Sequence, residues 1–113
     1  MKSIVLFVAF SCLLAEASAQ VMVGDVDINT NKDVKYIEVF FGSKGKGVIA
    51  YVDYGQPVTG GGARTILGPD KQQIEFNTNI ETLNYLYKNG WEVVTAFVTE
   101  GSTTVYLLRR KEA

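Results

Sequence analysis

From Val34 onward, apolar and polar positions alternate in short stretches separated by glycine-rich breaks. In Val34–Phe41 the positions Ile37, Val39 and Phe41 fall on one face of an extended chain, and the β-branched and aromatic content predicts a strand. Gly42 to Gly47 carries three glycines able to take positive φ and reads as a turn, with Val48–Tyr54 as the returning strand of a hairpin. Gly55–Arg64, with Pro57 and the run Gly60-Gly61-Gly62, is a loop. Thr65–Leu67 is too short to assign, Gly68-Pro69-Asp70 is a turn signal, and Gln73–Phe76 predicts a short third strand.

At Thr78 the period changes. Thr78-Asn79-Ile80-Glu81 fits a capping box, and Ile80, Leu83 and Tyr87 recur at helical spacing, with Leu86 broadening the stripe. Lys88 suits the negative end of a helix dipole and Gly90 suits the residue just past a helix, so a helix over 79–89 is predicted. Trp91–Thr99, a turn at Glu100-Gly101-Ser102, and Thr103–Arg110 predict a closing hairpin. Strict alternation puts Val94, Ala96 and Val98 on one face of it, and Val93, Thr95 and Phe97 on the other. The expectation is an α+β fold: a mostly antiparallel sheet of about five strands, in the order β-β-β-α-β-β, with one helix packed on one face.

The first 33 residues break the pattern. Lys2, the apolar run Ile4–Leu14 and the small-x-small triplet Ala17-Ser18-Ala19 follow one another as the three regions of a secretory signal do, which predicts cleavage between Ala19 and Gln20. That run is about half the roughly 20 residues that a membrane-spanning helix needs. Cys12 offers lipid attachment as a competing route, but Ala9-Phe10-Ser11 before it is a poor lipobox. Residues 20–33 are rich in Asp and Asn and read as a polar leader of uncertain order, leaving 34–113 as a single domain.

Composition narrows the chemistry. The chain has 113 residues, 11 Lys+Arg against 12 Asp+Glu, one cysteine and no histidine. No histidine means no His general base and no His metal ligand. One cysteine rules out an internal disulfide or a cysteine zinc cluster. A net charge of -1 argues against a dedicated nucleic-acid binder, whose affinity comes largely from neutralising phosphates.

Leu83-Asn84-Tyr85-Leu86-Tyr87-Lys88-Asn89-Gly90-Trp91-Glu92-Val93-Val94, followed by Tyr106-Leu107-Leu108-Arg109-Arg110-Lys111, resembles a family of small bacterial domains of unknown function. Their hallmark is a helix ending in Gly-Trp-Glu-(Leu or Val)-Val, then a hairpin ending in an apolar run and a basic pair. The likeness covers residues 79–111. It implies a compact α+β fold and carries no activity, cofactor or catalytic residue.

Five groupings bear on chemistry. Asp25, Asp27, Asn29, Asn31 and Asp33 alternate like the first ligands of an EF-hand calcium loop, but Thr30 stands where the turn glycine belongs and Tyr36 where the bidentate Glu belongs. Only a weak calcium possibility at Asp25, Asp27 and Asn29 follows. Gly60-Gly61-Gly62 beside Arg64 exposes backbone amides and a cation, without the Gly-Lys-Ser/Thr ending of a P-loop. Tyr51 and Tyr54 flank that loop and are the aromatic candidates for ligand contact, although they lie on opposite faces of an ideal strand. Asp53, Glu75 and Glu92 are the carboxylates that a histidine-free hydrolase could use. Arg109-Arg110-Lys111 reads as a solubilising edge device.

These readings favour an exported, non-catalytic binding or interaction module of a bacterial envelope, with no cofactor, whose partner is a protein, a peptide or a glycan. The alternatives are a structural subunit of a homo-oligomer and, behind it, a carboxylate-only hydrolase.

Overall fold

The computed structural model of the chain describes residues 19–57 and 64–112. Two very short strands, β1 (Met22–Val23) and β2 (Val26–Asp27), come first, followed by β3 (Tyr36–Lys44), β4 (Gly47–Asp53) and β5 (Arg64–Leu67). The helix α1 (Asn79–Lys88) precedes β6 (Trp91–Val98) and β7 (Thr104–Arg110). The seven strands form one sheet in the order β2-β1-β5-β4-β3-β7-β6, and every neighbouring pair is antiparallel. The sheet curls into a half-barrel, and α1 is the one helix among the described residues.

The five-strand α+β arrangement expected above is therefore corrected to a seven-stranded curled sheet, at three places. The polar segment 20–33 supplies β1 and β2. Its Asp and Asn residues close turns while Val21, Val23 and Ile28 go wholly into the core. Gly24, at φ +58°, makes the tight connection between the two strands. Second, Thr65–Leu67 joins Arg64 in a true strand, because β5 is held on both sides, by β4 and by β1. Third, Gln73–Phe76 is not a strand. It makes two isolated bridges, Gln73 to Leu67 and Phe76 to Val48, as the chain crosses from the end of β5 to the start of β4.

The β3–β4 hairpin is longer than the alternation predicted, and its glycines do different jobs. Only Gly45 among them has a positive φ, +58°, in the two-residue turn Gly45-Lys46. Gly47 is small because the Phe76 carbonyl docks against it; a Cβ there would collide with that oxygen. The docking is fixed by Val48 N–H donating to Phe76 O (2.7 Å) and Phe76 N–H to Val48 O (2.8 Å). Gly42 lies under the Tyr51 ring.

Thr78 caps α1 as predicted: its hydroxyl oxygen accepts from Glu81 N–H at 3.1 Å. The reciprocal half of the capping box is absent, since the Glu81 carboxylate accepts from Asn77 Nδ2 instead. Asn89 ends the helix and Gly90, at φ +99°, turns the chain into β6. The buried face keeps only Leu83 and Leu86 of the predicted stripe. Thr82 and Leu86, one turn apart, are the fully buried residues, with Leu83 and Tyr85 packed beside them, while Ile80 and Tyr87 are exposed. Thr82 is invisible to a hydrophobic count; its hydroxyl bonds back to the Thr78 carbonyl (3.4 Å), which lets the residue be buried.

The concave side of the sheet holds the core: Ile37 and Val39 of β3, Ala50 and Val52 of β4, Ile66 of β5, Trp91 and Leu108, closed by Leu86, Phe76 and the residues of the first hairpin. A register shift between Val93 and Thr95 places a bulge in β6. It overturns strict alternation there: Val93 pairs with Leu108, so it shares a face with Ala96 and Val98 and not with Thr95 and Phe97.

Candidate functional site

The two tyrosine candidates part company at β4. Phe40 and Tyr51 are cross-strand partners on the convex face, their rings stacked at 5.3 Å and 13°. Tyr51 thus has one ring face against Phe40 and its edge over Gly42, which makes it a half-buried packing residue. Tyr54, three residues on, turns to the concave side and packs against the core.

At Tyr54 a cleft opens between the β1–β2 turn and the end of β4. It has a volume of about 300 Å³ and is lined by Gly24, Asp25, Tyr54, Gln56, Pro57 and Arg64, with Val23 and Val26 beneath. Two sequence candidates, Tyr54 and Arg64, meet there, and Asp25 joins them from the calcium-like motif. The Arg64 stem lies over Gly24, where a Cβ would stand 3.4 Å from its Cγ. Gln56 folds back on β4: its Oε1 accepts from Tyr54 N–H (2.8 Å) and its Nε2 donates to the Val52 carbonyl (3.0 Å). Asp53 closes the same corner by accepting from Gly55 N–H at 2.9 Å. The result is an open cleft with a carboxylate, a guanidinium, an amide and an aromatic ring drawn from three separate chain segments. Gln56 gave no signal in the sequence beyond lying next to Pro57. The Gly60–Gly62 loop lies outside the described residues.

The calcium-like motif has a different use. Asp27 Oδ1 accepts from Asn29 N–H (3.0 Å) and Val21 N–H (3.3 Å), and Asn31 Oδ1 accepts from Asp33 N–H (3.1 Å). Asn29 Oδ1 accepts from the Trp91 indole N–H at 2.7 Å while its Nδ2 donates to the Asn89 carbonyl at 2.9 Å. The segment does wrap oxygens round a cation, but the cation is Arg110. Its Nε donates to Val34 O (2.8 Å), its Nη2 to Ile28 O (2.7 Å) and Asn31 O (2.8 Å), and its Nη1 reaches Asn29 O at 3.4 Å. Asp27 Oδ1 and Asn29 Oδ1 are thus engaged within the fold, and no group of three or more acidic, cysteine or histidine side chains gathers among the described residues. Arg110 is a clamp rather than the solubilising residue expected.

The carboxylates separate as well. Glu92 on β6 pairs with Arg109 at 3.2 Å, Glu75 sits beside the Gly45 turn, and Asp53 ends β4. The carboxylate opposite Asp53 is Glu38, its registered partner on β3, which sequence spacing could not reveal because the pairing depends on the hairpin register. A shallow hollow lined by Tyr36, Glu38, Asp53, Tyr54, Gly55 and Leu107 lies over that pair.

Burial pushes the Tyr85 phenol above its ordinary pKa, and the Asp27 carboxylate nearby adds to the effect. Among the described residues no helix is long and apolar enough to cross a membrane. Comparison with protein-family models, with curated proteins and with solved structures finds no match.

Proposed function

We propose that this chain is a small exported binding module whose ligand site is the cleft at Asp25, Tyr54 and Arg64, and whose ligand is a sugar unit of an envelope glycan. The observation that carries the reading is the meeting of those three side chains, with Gln56, in one cleft of about 300 Å³. That volume stands at the lower end of ligand sites and suits a single ring. A carboxylate and a guanidinium can each bridge neighbouring hydroxyls, and a tyrosine ring offers an apolar surface to sugar C–H groups. Export rests on the Lys2, Ile4–Leu14 and Ala17-Ser18-Ala19 pattern, which lies outside the described residues apart from Ala19.

Binding is preferred to carboxylate-only hydrolysis because the Glu38–Asp53 pair lies over an open, shallow hollow and one Asp53 oxygen is already taken by Gly55 N–H. The test is amide chemical-shift mapping of the labelled chain with oligomers of N-acetylglucosamine, with short peptides as a parallel probe. Sugar-dependent shifts clustered at 24–26, 54–57 and 64, abolished by Arg64→Ala, are expected. Shifts only with peptides, or none in those segments, would refute the glycan reading.

A further inference from the structure

We infer that β6 is a dimerisation edge, pairing antiparallel with β6 of a second copy of this chain. The sheet has two edges, and they differ. The β2 edge is two residues long and carries Asp27. The β6 edge is eight residues long, and from Val93 to Val98 every residue is exposed and none is charged. Val98 is 67% exposed and Val93, Val94 and Phe97 more than 40% each. Long edges of this kind are normally blunted by lysine, proline or a short span; β6 has no such residue, and only its bulge interrupts it.

The backbone sets what can cover it. Thr99 N–H donates to Thr103 O (2.8 Å), so by alternation Phe97 and Thr95 turn their backbone groups toward β7. Ala96 and Val98 turn theirs outward, among the described residues, toward open solvent. A strand satisfies such a row of donors and acceptors better than a helix or a loop does.

Charge says which strand. The start of β6 is flanked in sequence and on β7 by Lys88, Arg109 and Lys111, against Glu92 and Glu112; its far end leads into Glu100. A two-fold axis through the middle of β6 brings the acidic end of each copy to the basic end of the other, twice, and sets the valines of one edge against those of its mate. Because one edge pairs with the same edge, the contact is isologous and closes at two copies. A parallel arrangement would oppose like ends and leave the charges unmatched. This inference is independent of the cleft, which sits at the opposite end of the strand order.

Sedimentation equilibrium of the full chain over a range of concentrations tests it, with the fold of each variant checked by circular dichroism. The chain should be a dimer. Val98→Lys, at an exposed position, should fold and bind its mate about ten-fold more weakly or worse, as expected for like charges set into the pair twice over. Glu100→Lys and Lys111→Glu should each weaken the dimer, and the double variant should restore it. A wild-type monomer at every concentration, a dimer indifferent to Val98→Lys, or a double variant weaker than either single one would each overturn the inference.

Discussion

The Arg110 guanidinium sits over the Trp91 ring at 4.8 Å while donating to carbonyls of the 28–34 segment. The last strand thereby holds the first segment of the fold, more than seventy residues away in sequence, and covers the core tryptophan with the same side chain. Planarity matters, because a fork can bond to several carbonyls in one plane and still stack on an indole. Arg110→Ala should destabilise the chain by about 3 kcal/mol, combining the lost charge-assisted bonds with the lost cation–π contact. Arg110→Lys should recover less than half of that. Urea unfolding followed by tryptophan fluorescence measures both; a lysine variant as stable as wild type would show that charge alone suffices.

Asn29 is the second tie to Trp91. Removing its side chain leaves a buried indole N–H without an acceptor and the Asn89 carbonyl without a donor. Asn29→Ala should cost about 2 kcal/mol, the range for an unsatisfied buried donor. Asn29→Asp should also destabilise, since it keeps the acceptor for the indole but replaces the donor to Asn89 with a second acceptor. The same geometry predicts no heat on titrating micromolar calcium into the chain, because Asp27 Oδ1 and Asn29 Oδ1 are already engaged.

Local signals were the legible ones. Thr78, Gly90 and the two long hairpins act over a few residues; the structure has the cap and the helix stop where spacing placed them, and both hairpins with shifted limits. The first hairpin was not legible, because strands of two residues carry no period and their Asp and Asn content resembles that of a solvated leader. Nor was the bulge at Val93–Thr95, which inverts the faces of β6 without a glycine to mark it. Closeness to the glycine loop singles out Tyr54 and Arg64, which the fold places in one cleft, and strand parity separates Tyr51 from Tyr54. The meeting of Asp25 with Arg64 has no sequence signal, since only the β1–β2 turn, a tertiary feature, brings the two together.

Gly47 should be the least replaceable glycine of the β3–β4 hairpin. Gly47→Ala pushes a methyl into the Phe76 carbonyl and should cost about 2 kcal/mol or more, as overpacking does. Gly45→Ala meets only the flexible Glu75 carboxylate and should cost about 1 kcal/mol, from its positive φ. Thermal unfolding of both variants gives the order; equal costs would mean that the 68–76 segment yields rather than the hairpin.

The helix face makes a similar contrast. Leu86 is fully buried and Leu86→Ala should cost about 3 kcal/mol. Ile80 is 62% exposed despite its place in the apolar stripe, so Ile80→Ala should change stability by less than about 0.5 kcal/mol. Equal losses at the two positions, read from urea midpoints, would show that the helix is rotated toward the predicted stripe.

Tyr85 gives the fold a pH dependence of definite sign. In the unfolded chain its phenol ionises near 10.0; in the folded chain burial and the Asp27 carboxylate keep it protonated to higher pH. The folded state therefore binds more protons in that window, and its stability falls as pH rises. The Tyr85 contribution is fully present below about pH 10 and is lost as pH passes through the folded value. Tyr85→Phe keeps the ring against Phe76, where the two meet edge-on at 5.5 Å, and removes the titration. The informative quantity is the difference in unfolding free energy between wild type and Tyr85→Phe. That difference should be flat below pH 9 and should turn against wild type above about pH 10. A difference flat throughout would mean that the Tyr85 hydroxyl ionises as freely in the folded chain as in the unfolded one.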